Sequence, residues 1–182
     1  TPKINFEPGQ WITISTKIDN KEVPRAYSIA SAPYQLPKLE LFIKHVIKDK
    51  YQCIFTSKLF KSKKNSKFNI LRIGGKFLVD QNDKRTKILL ASGTGLAPYI
   101  SIVRDEIKKY NKSNSIIVHG VSYIQDLGYK EELEKYEKEA KIVKYIPTIS
   151  RPEENKFWEV TTGRVGEIVE LKLKNILRKM GS

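Results

Sequence analysis

KILLASGTGLAP, residues 87–98, joins a short apolar run to a pair of glycines and a proline. Lys87–Ala91 has the continuous apolar character of a parallel strand covered on both faces. Gly93-Thr94-Gly95 follows at once, and glycines at such a turn let the backbone come close to a phosphate. Beyond Pro98, the apolar residues Ile100, Val103 and Ile107 fall on one face of a helix predicted over 99–110. The N-terminus of a helix offers free N–H groups and the positive end of its dipole to an anion. Pro98 suits the first turn, where no backbone bond is lost. The stretch therefore reads as strand, phosphate loop, helix. A plain tight strand–helix turn has the same spacing, so the motif by itself leaves both readings open.

The rhythm continues downstream. Ile116–Val121 predicts a second buried strand, Leu127–Ala140 an amphipathic helix, Ile142–Ile146 a third strand and Glu167–Leu177 a last helix. Alternation of this kind means βαβ units on a parallel sheet. Upstream the pattern differs. Trp11–Thr16, Arg25–Ala30, Leu39–Val46 and Phe68–Ile73 read as strands separated by Pro, Gly and Asn, with a short helix over Tyr51–Phe60. Short strands broken in this way predict a small antiparallel barrel. The expected division is 1–82 for the barrel and 83–182 for the parallel-sheet domain.

Composition narrows the functional classes. The 182 residues are 40% hydrophobic, enough for a folded core. Cys53 stands alone, which removes an internal disulfide, a cysteine-built zinc site and an iron–sulfur cluster. Two histidines, His45 and His119, are too few for most metal constellations, and no metal is expected. His119 ends an apolar strand and reads as structural, as does Cys53. No apolar run approaches the roughly 20 residues of a membrane helix. The net charge is +14, with fifteen Lys and Arg against six Asp and Glu in residues 1–82. The densest part is Lys58, Lys61, Lys63, Lys64 and Lys67. Such a patch attracts an anionic partner, although a solvated lysine-rich face has the same composition. No recognisable nucleic-acid motif accompanies the charge.

Arg25-Ala26-Tyr27-Ser28 is the second feature with chemistry in it. An arginine can clamp a phosphate with two parallel bonds. A tyrosine ring can stack on a flat heterocycle. A serine hydroxyl can bond a ring nitrogen or oxygen. Taken alone, the four residues could equally be barrel wall.

Four motifs occur in order: Pro8-Gly9-Gln10, Arg25-x-Tyr27-Ser28, Gly93-Thr94-Gly95-x-x-Pro98 and Thr162-Gly163-Arg164. The set resembles the ferredoxin/flavodoxin–NADP reductase family of bacterial type, over nearly the whole chain. The resemblance implies a two-domain β + α/β architecture. An antiparallel Greek-key flavin-binding barrel comes first, then a Rossmann-like NADP-binding domain.

It also implies roles. Arg25 would bind the FAD pyrophosphate, Tyr27 would pack on the isoalloxazine, and Ser28 would stand near the flavin N5 where hydride arrives. Tyr27 and Ser28 are thus the catalytic candidates. Thr56 and Ser57, in Thr56-Ser57-Lys58-Leu59, resemble a second flavin loop at a helix start, without the glycine usual before it. Thr94 and Gly95 belong to the pyrophosphate loop of NADP. Arg151 and Arg164 resemble arginines that hold the 2′-phosphate. Ser122 stands where many relatives carry another arginine, and Tyr123 is placed to stack on adenine.

The family pattern continues past this chain to a Cys-Gly-x-Pro-like strand and a C-terminal segment over the flavin. The chain shows neither, nor an opening barrel strand, and begins at Thr1 without Met or a signal-like segment. The expectation is a fragment of a reductase, active poorly by itself. The implied activity is electron transfer between NADP(H) and an acidic carrier, ferredoxin or flavodoxin, through FAD in the cytoplasm. A haem or oxygenase partner is the alternative acceptor, and a basic nucleic-acid-binding protein the remote one.

Overall fold

The computed structural model describes residues 4–45, 54–80 and 83–169. They group into two compact units, Thr1–Asp80 with Ala97–Asp105, and Gln81–Leu96 with Glu106–Ser182.

The first unit is built on an antiparallel sheet of three strands in the order β2-β1-β3. These are β1 (Trp11–Ile18), β2 (Lys21–Ser28) and β3 (Asn69–Gly74). Period-2 alternation in β1 buries Ile12 and Ile14. They join Phe6, Ile29 and Phe55 in one core, flanked by Val23, Tyr27, Phe68 and Ile73. Pro24 lies in β2 because β2 is the edge strand of this sheet, where a missing N–H breaks no ladder. The turn into β1 depends on Gly9. Its φ is +97°, and a Cβ there would lie 2.0 Å from the Phe77 carbonyl oxygen.

Leu39–Val46 is not a strand over its described residues. A single bridge joins Leu41 to Ile29. The Glu40 carbonyl accepts the Ala30 N–H at 2.8 Å as part of that bridge, but its N–H goes to a side chain, Ser31 Oγ, at 3.1 Å. The predicted helix appears as α1 (Ile54–Lys61). Its expected start at Tyr51, like Cys53, lies outside the described residues.

The second unit carries a parallel sheet in the order β4-β5-β6-β7. The strands are β4 (Lys87–Ser92), β5 (Ser115–Val121), β6 (Lys144–Ile149) and β7 (Thr161–Thr162). β5 is buried along its whole length, as its unbroken apolar run predicts for a central strand. Its residues Ile116 and Val118 pack with Ile146 and Ile168. The third strand begins two residues later than expected and runs to Ile149, because its register is set by β5: Ile116 pairs with Lys144 and Val121 with Ile149. The two-residue β7 was not anticipated.

Three helices alternate with these strands along the chain. A single 3-10 turn, Gly93–Leu96, runs directly into α2 (Ala97–Tyr110), with Pro98 in its first turn. Asn111 closes α2 in the left-handed conformation. α3 spans Lys130–Lys138 and α4 Val165–Ile168. The expected continuation of the last helix to Leu177 falls outside the described residues beyond 169. No helix among the described residues is long and apolar enough to cross a membrane.

Candidate functional site

In the first unit Arg25, Tyr27 and Ser28 lie on β2, opposite Ile14, Ile12 and Trp11 respectively. Residues 25 and 27 share one face of the strand. It is the face of the core, since their partners Ile14 and Ile12 are buried. Tyr27 is half-buried, and its ring lies 6.2 Å from that of Phe55 on α1. Burial raises the pKa of its hydroxyl, and the Arg25 cation offsets part of that rise. Arg25 itself is exposed. Its Nη1 donates to the Pro24 carbonyl at 2.7 Å, and no carboxylate pairs with it among the described residues. This unit therefore presents a cation and an aromatic face side by side.

Thr56 and Ser57 are the third and fourth residues of α1. Phe55 ties this helix to β2. It is 1% exposed, close to Tyr27 on one side and 6.3 Å from Phe68 on the other. Sequence reasoning missed Phe55; its neighbours carried the hydroxyls, and nothing local marked it as the anchor.

The segment after Ser28 is held by several bonds. Ile29 N–H donates to the Gln10 carbonyl at 3.0 Å. Ser101 Oγ donates to the Ser31 carbonyl at 2.7 Å. Arg104 Nη1 reaches the Ala30 carbonyl at 3.3 Å and Glu40 Oε2 at 3.0 Å. The strand end carrying Tyr27 and Ser28 is thereby fixed in place.

In the second unit every candidate lies at one edge of the sheet. Thr94 and Gly95 follow β4, Ser122 and Tyr123 follow β5, Arg151 follows β6, and Arg164 follows β7. All four strands are parallel, so these are their carboxyl ends, where such sheets bind nucleotides. Gly93 has φ +53°, and a Cβ added at Gly93 or Gly95 would meet nothing within 4 Å. The space beside both glycines is open. His119 on β5 fixes the loop from beneath, its Nε2 lying 3.0 Å from the Gly93 carbonyl oxygen.

Two of the candidates meet directly. Arg151 Nη1 donates to the Tyr123 hydroxyl at 2.8 Å, and its guanidinium lies 5.5 Å from the centre of the Tyr123 ring. The same nitrogen pairs with Glu154 at 3.1 Å. Arg164 does not join this cluster. It is exposed at the start of α4, and its backbone N–H donates to Glu167 Oε2 at 2.8 Å. A cleft of about 370 Å³ adjoins the Tyr123–Arg151 pair, lined by Ile124, Gln125 and residues 153–157. Glu154 and Asn155, both absent from the sequence reading, lie in this lining. They sit in a loop with no periodic signal.

Comparison with known proteins follows the same division. Residues 1–78 match the oxidoreductase FAD-binding domain and residues 89–179 the oxidoreductase NAD-binding domain. A ferredoxin–NADP reductase of Azotobacter vinelandii is 31% identical over 169 residues, 82% of this chain and 60% of the relative. The phenol hydroxylase P5 protein of Acinetobacter pittii is 27% identical, over 91% of this chain and 46% of the relative. The chain thus spans about half to three-fifths of the length of these curated relatives. Among solved structures, a ferredoxin NADP+ reductase from Neisseria gonorrhoeae with bound FAD and NADP superposes with a TM-score of 0.75 at 21% identity. That alignment covers 95% of this chain and 68% of the other, and it supports the two-unit fold.

Proposed function

We propose, starting from the fact that the chain belongs to the family of oxidoreductases joining an FAD-binding to an NAD-binding domain, that it moves electrons between NADP(H) and ferredoxin or flavodoxin. Residues 1–82 would hold FAD and residues 83–182 NADP(H). The observation that carries this is the pairing of two donor sets on two sheets. One is Arg25 beside Tyr27 on an antiparallel edge strand; the other is the glycine loop with Tyr123–Arg151 at the carboxyl edge of a parallel sheet.

Each donor set fits the group assigned to it. Arg25, lacking a carboxylate partner among the described residues, matches a pyrophosphate in charge and in its two-pronged geometry. Thr56 and Ser57 on α1 would add hydroxyl groups beside the phosphate oxygens. Tyr27, backed by Phe55, offers a fixed ring for a flat heterocycle. Ser28 would bond its edge. In the second unit, Gly93–Gly95 would take the pyrophosphate of NADP(H), Tyr123 the adenine, and Arg151 and Arg164 the 2′-phosphate. Bound flavin supplies the exchange between a two-electron hydride donor and a one-electron acceptor. The chain's own part is to stack, orient and neutralise charge.

The exposed lysines of the first unit support an acidic carrier as acceptor. The likeness to the phenol hydroxylase P5 protein supports a second reading, with an oxygenase component as acceptor. The experiment purifies the chain with FAD, records the visible flavin spectrum and measures its bleaching by NADPH and by NADH. Ferredoxin-dependent cytochrome c reduction then tests the acceptor. An FAD spectrum bleached by NADPH, with reduction that requires ferredoxin, is the expected result. Bleaching without any dependence on ferredoxin or flavodoxin favours the second reading.

A further inference from the structure

Asn155 is 6% exposed, and its side-chain amide joins two separate loops. Nδ2 donates to the Ser122 carbonyl at 3.2 Å and to the Arg151 carbonyl at 2.6 Å. Oδ1 accepts the Ile124 N–H at 3.0 Å. One carboxamide thus uses both donors and one acceptor on the backbone at both sides of Tyr123 and at Arg151 itself. Other links between the loops are the Ser150 hydroxyl, which donates to the Val121 carbonyl at 3.4 Å, and the Arg151–Tyr123 bond itself. β5 and β6 end at Val121 and Ile149, with one further backbone bond from Ser150 N–H to the Val121 carbonyl. Asn155 is held in turn: its N–H donates to the Pro152 carbonyl, and its carbonyl accepts from Trp158 N–H at 2.9 Å. Trp158 packs on Val121, Leu127 and Ile149.

We infer that Asn155 is a positioning residue for the 2′-phosphate end of NADP(H), setting the Tyr123–Arg151 pair by tying the loop after β5 to the loop after β6. This rests on the assignment of Arg151 to that phosphate. The physical reason is the flexibility of long side chains. A guanidinium on a free loop loses rotamer and backbone entropy when it meets a ligand, and prior fixing of the loops removes that cost. Only an asparagine serves here without rearrangement. Aspartate keeps the acceptor for Ile124 but turns both donor positions into acceptors facing carbonyl oxygens. Alanine removes the Asn155 donors from the Ser122 and Arg151 carbonyls, leaving Arg151 only the Glu154 N–H, and leaves the Ile124 N–H without its acceptor.

The test compares two probes that differ only in the 2′-phosphate, adenosine 2′,5′-bisphosphate and 5′-AMP. Their affinities are measured by calorimetry on the FAD-loaded chain. Asn155→Ala and Asn155→Asp are both made, with Arg151→Ala and the double variant Arg151→Ala/Asn155→Ala. Retained flavin and far-ultraviolet dichroism establish that each variant is folded. Asn155→Ser is the substitute if the other two Asn155 variants do not fold. The preference for the bisphosphate should fall about tenfold in the Asn155 variants. It should fall at least as far in Arg151→Ala, and change less than twofold when the second substitution is added to the first. If Arg151→Ala abolishes the preference while the Asn155 variants keep it, Asn155 only packs the loop, and the inference is overturned with the Arg151 assignment intact. If Arg151→Ala leaves the preference unchanged, the assignment itself is wrong and the inference falls with it.

Discussion

His119 Nε2 lies 3.0 Å from the carbonyl oxygen of Gly93, so a buried imidazole on β5 fixes the first residue of the loop after β4. A carbonyl only accepts, so Nε2 carries the proton. Nδ1 is then free to accept from the Tyr145 hydroxyl at 3.4 Å. Burial disfavours the charged ring and lowers its pKa to about 4, against the upward pull of the Gly93 bond.

That depression predicts a pH dependence. In the unfolded chain the ring protonates near pH 6.5; in the folded chain it stays neutral to about 4. Between those values the unfolded state binds the extra proton, so stability falls as the pH falls. The full loss across the window is about 3 kcal/mol. Thermal unfolding followed by circular dichroism at pH 7 and pH 5 should show a drop of about 5 °C from this residue. His119→Gln retains a donor for Gly93 without a titrating ring, and should flatten this part of the profile. An identical pH profile in that variant would remove His119 from the account.

Tyr27 and Phe55 predict a graded effect on flavin. Tyr27→Ala removes the ring itself, and should weaken FAD by about 1–3 kcal/mol. Phe55→Leu keeps an apolar filler but removes the flat surface behind Tyr27, and should weaken FAD by less. Flavin fluorescence during dilution measures both. Equal affinity in Tyr27→Ala and the parent would exclude the ring from the site.

The parallel half was legible because one physical cause dominates it. Strands covered on both faces must be apolar, and Lys87–Ala91 and Ile116–Val121 announce this without help from the rest of the chain. The glycine loop was legible for the same kind of reason, since Gly93 answers a local demand for φ near +53°. Leu39–Val46 shows the limit. Its alternation is real, but a strand needs a continuous ladder, and here the Glu40 N–H goes to the Ser31 hydroxyl and a single bridge to Ile29 remains. Asn155 and His119 were opaque for a related reason. Their importance lies in carbonyls and N–H groups some thirty residues away, and no side-chain pattern records a bond to backbone.

The lysine patch predicts a salt effect on carrier docking. Lys61, Lys63, Lys64 and Lys67 are exposed, whereas the Lys58 ammonium is already engaged by the Lys17 carbonyl. Replacing those four with glutamine should slow ferredoxin-dependent reduction several-fold at low salt and little at high salt, because the Debye length shrinks to about 8 Å at physiological ionic strength. Reduction of an uncharged quinone by NADPH serves as the control and should change far less. Equal losses with both acceptors would place the effect on the fold or on NADPH binding.

If the arginines take the 2′-phosphate as proposed, cofactor choice is predicted to depend on Glu154 as well. Arg151 gives Nη1 to both Tyr123 and Glu154, and the pair with Glu154 is solvent-exposed on both sides. A 2′-phosphate arriving at Arg151 must compete with that carboxylate and also tolerate its charge. An exposed pair of this kind contributes only about 0.2–1 kcal/mol, so the competition is weak but always present. Glu154→Gln should therefore raise kcat/KM for NADPH by about two- to five-fold and leave NADH nearly unchanged. Arg164, whose contact runs through its backbone to Glu167, has no such competitor among the described residues. Arg164→Ala should lower NADPH efficiency about ten-fold or more, on the scale of one charge-assisted bond to a dianion. NADH, lacking the phosphate, should be spared. Steady-state kinetics with both cofactors across the three proteins decide the matter. If Glu154→Gln moves NADPH and NADH together, its carboxylate shapes the loop rather than the 2′-phosphate site. If Arg164→Ala lowers both equally, that arginine serves the shared pyrophosphate or the start of α4, and discrimination has to come from Arg151 alone.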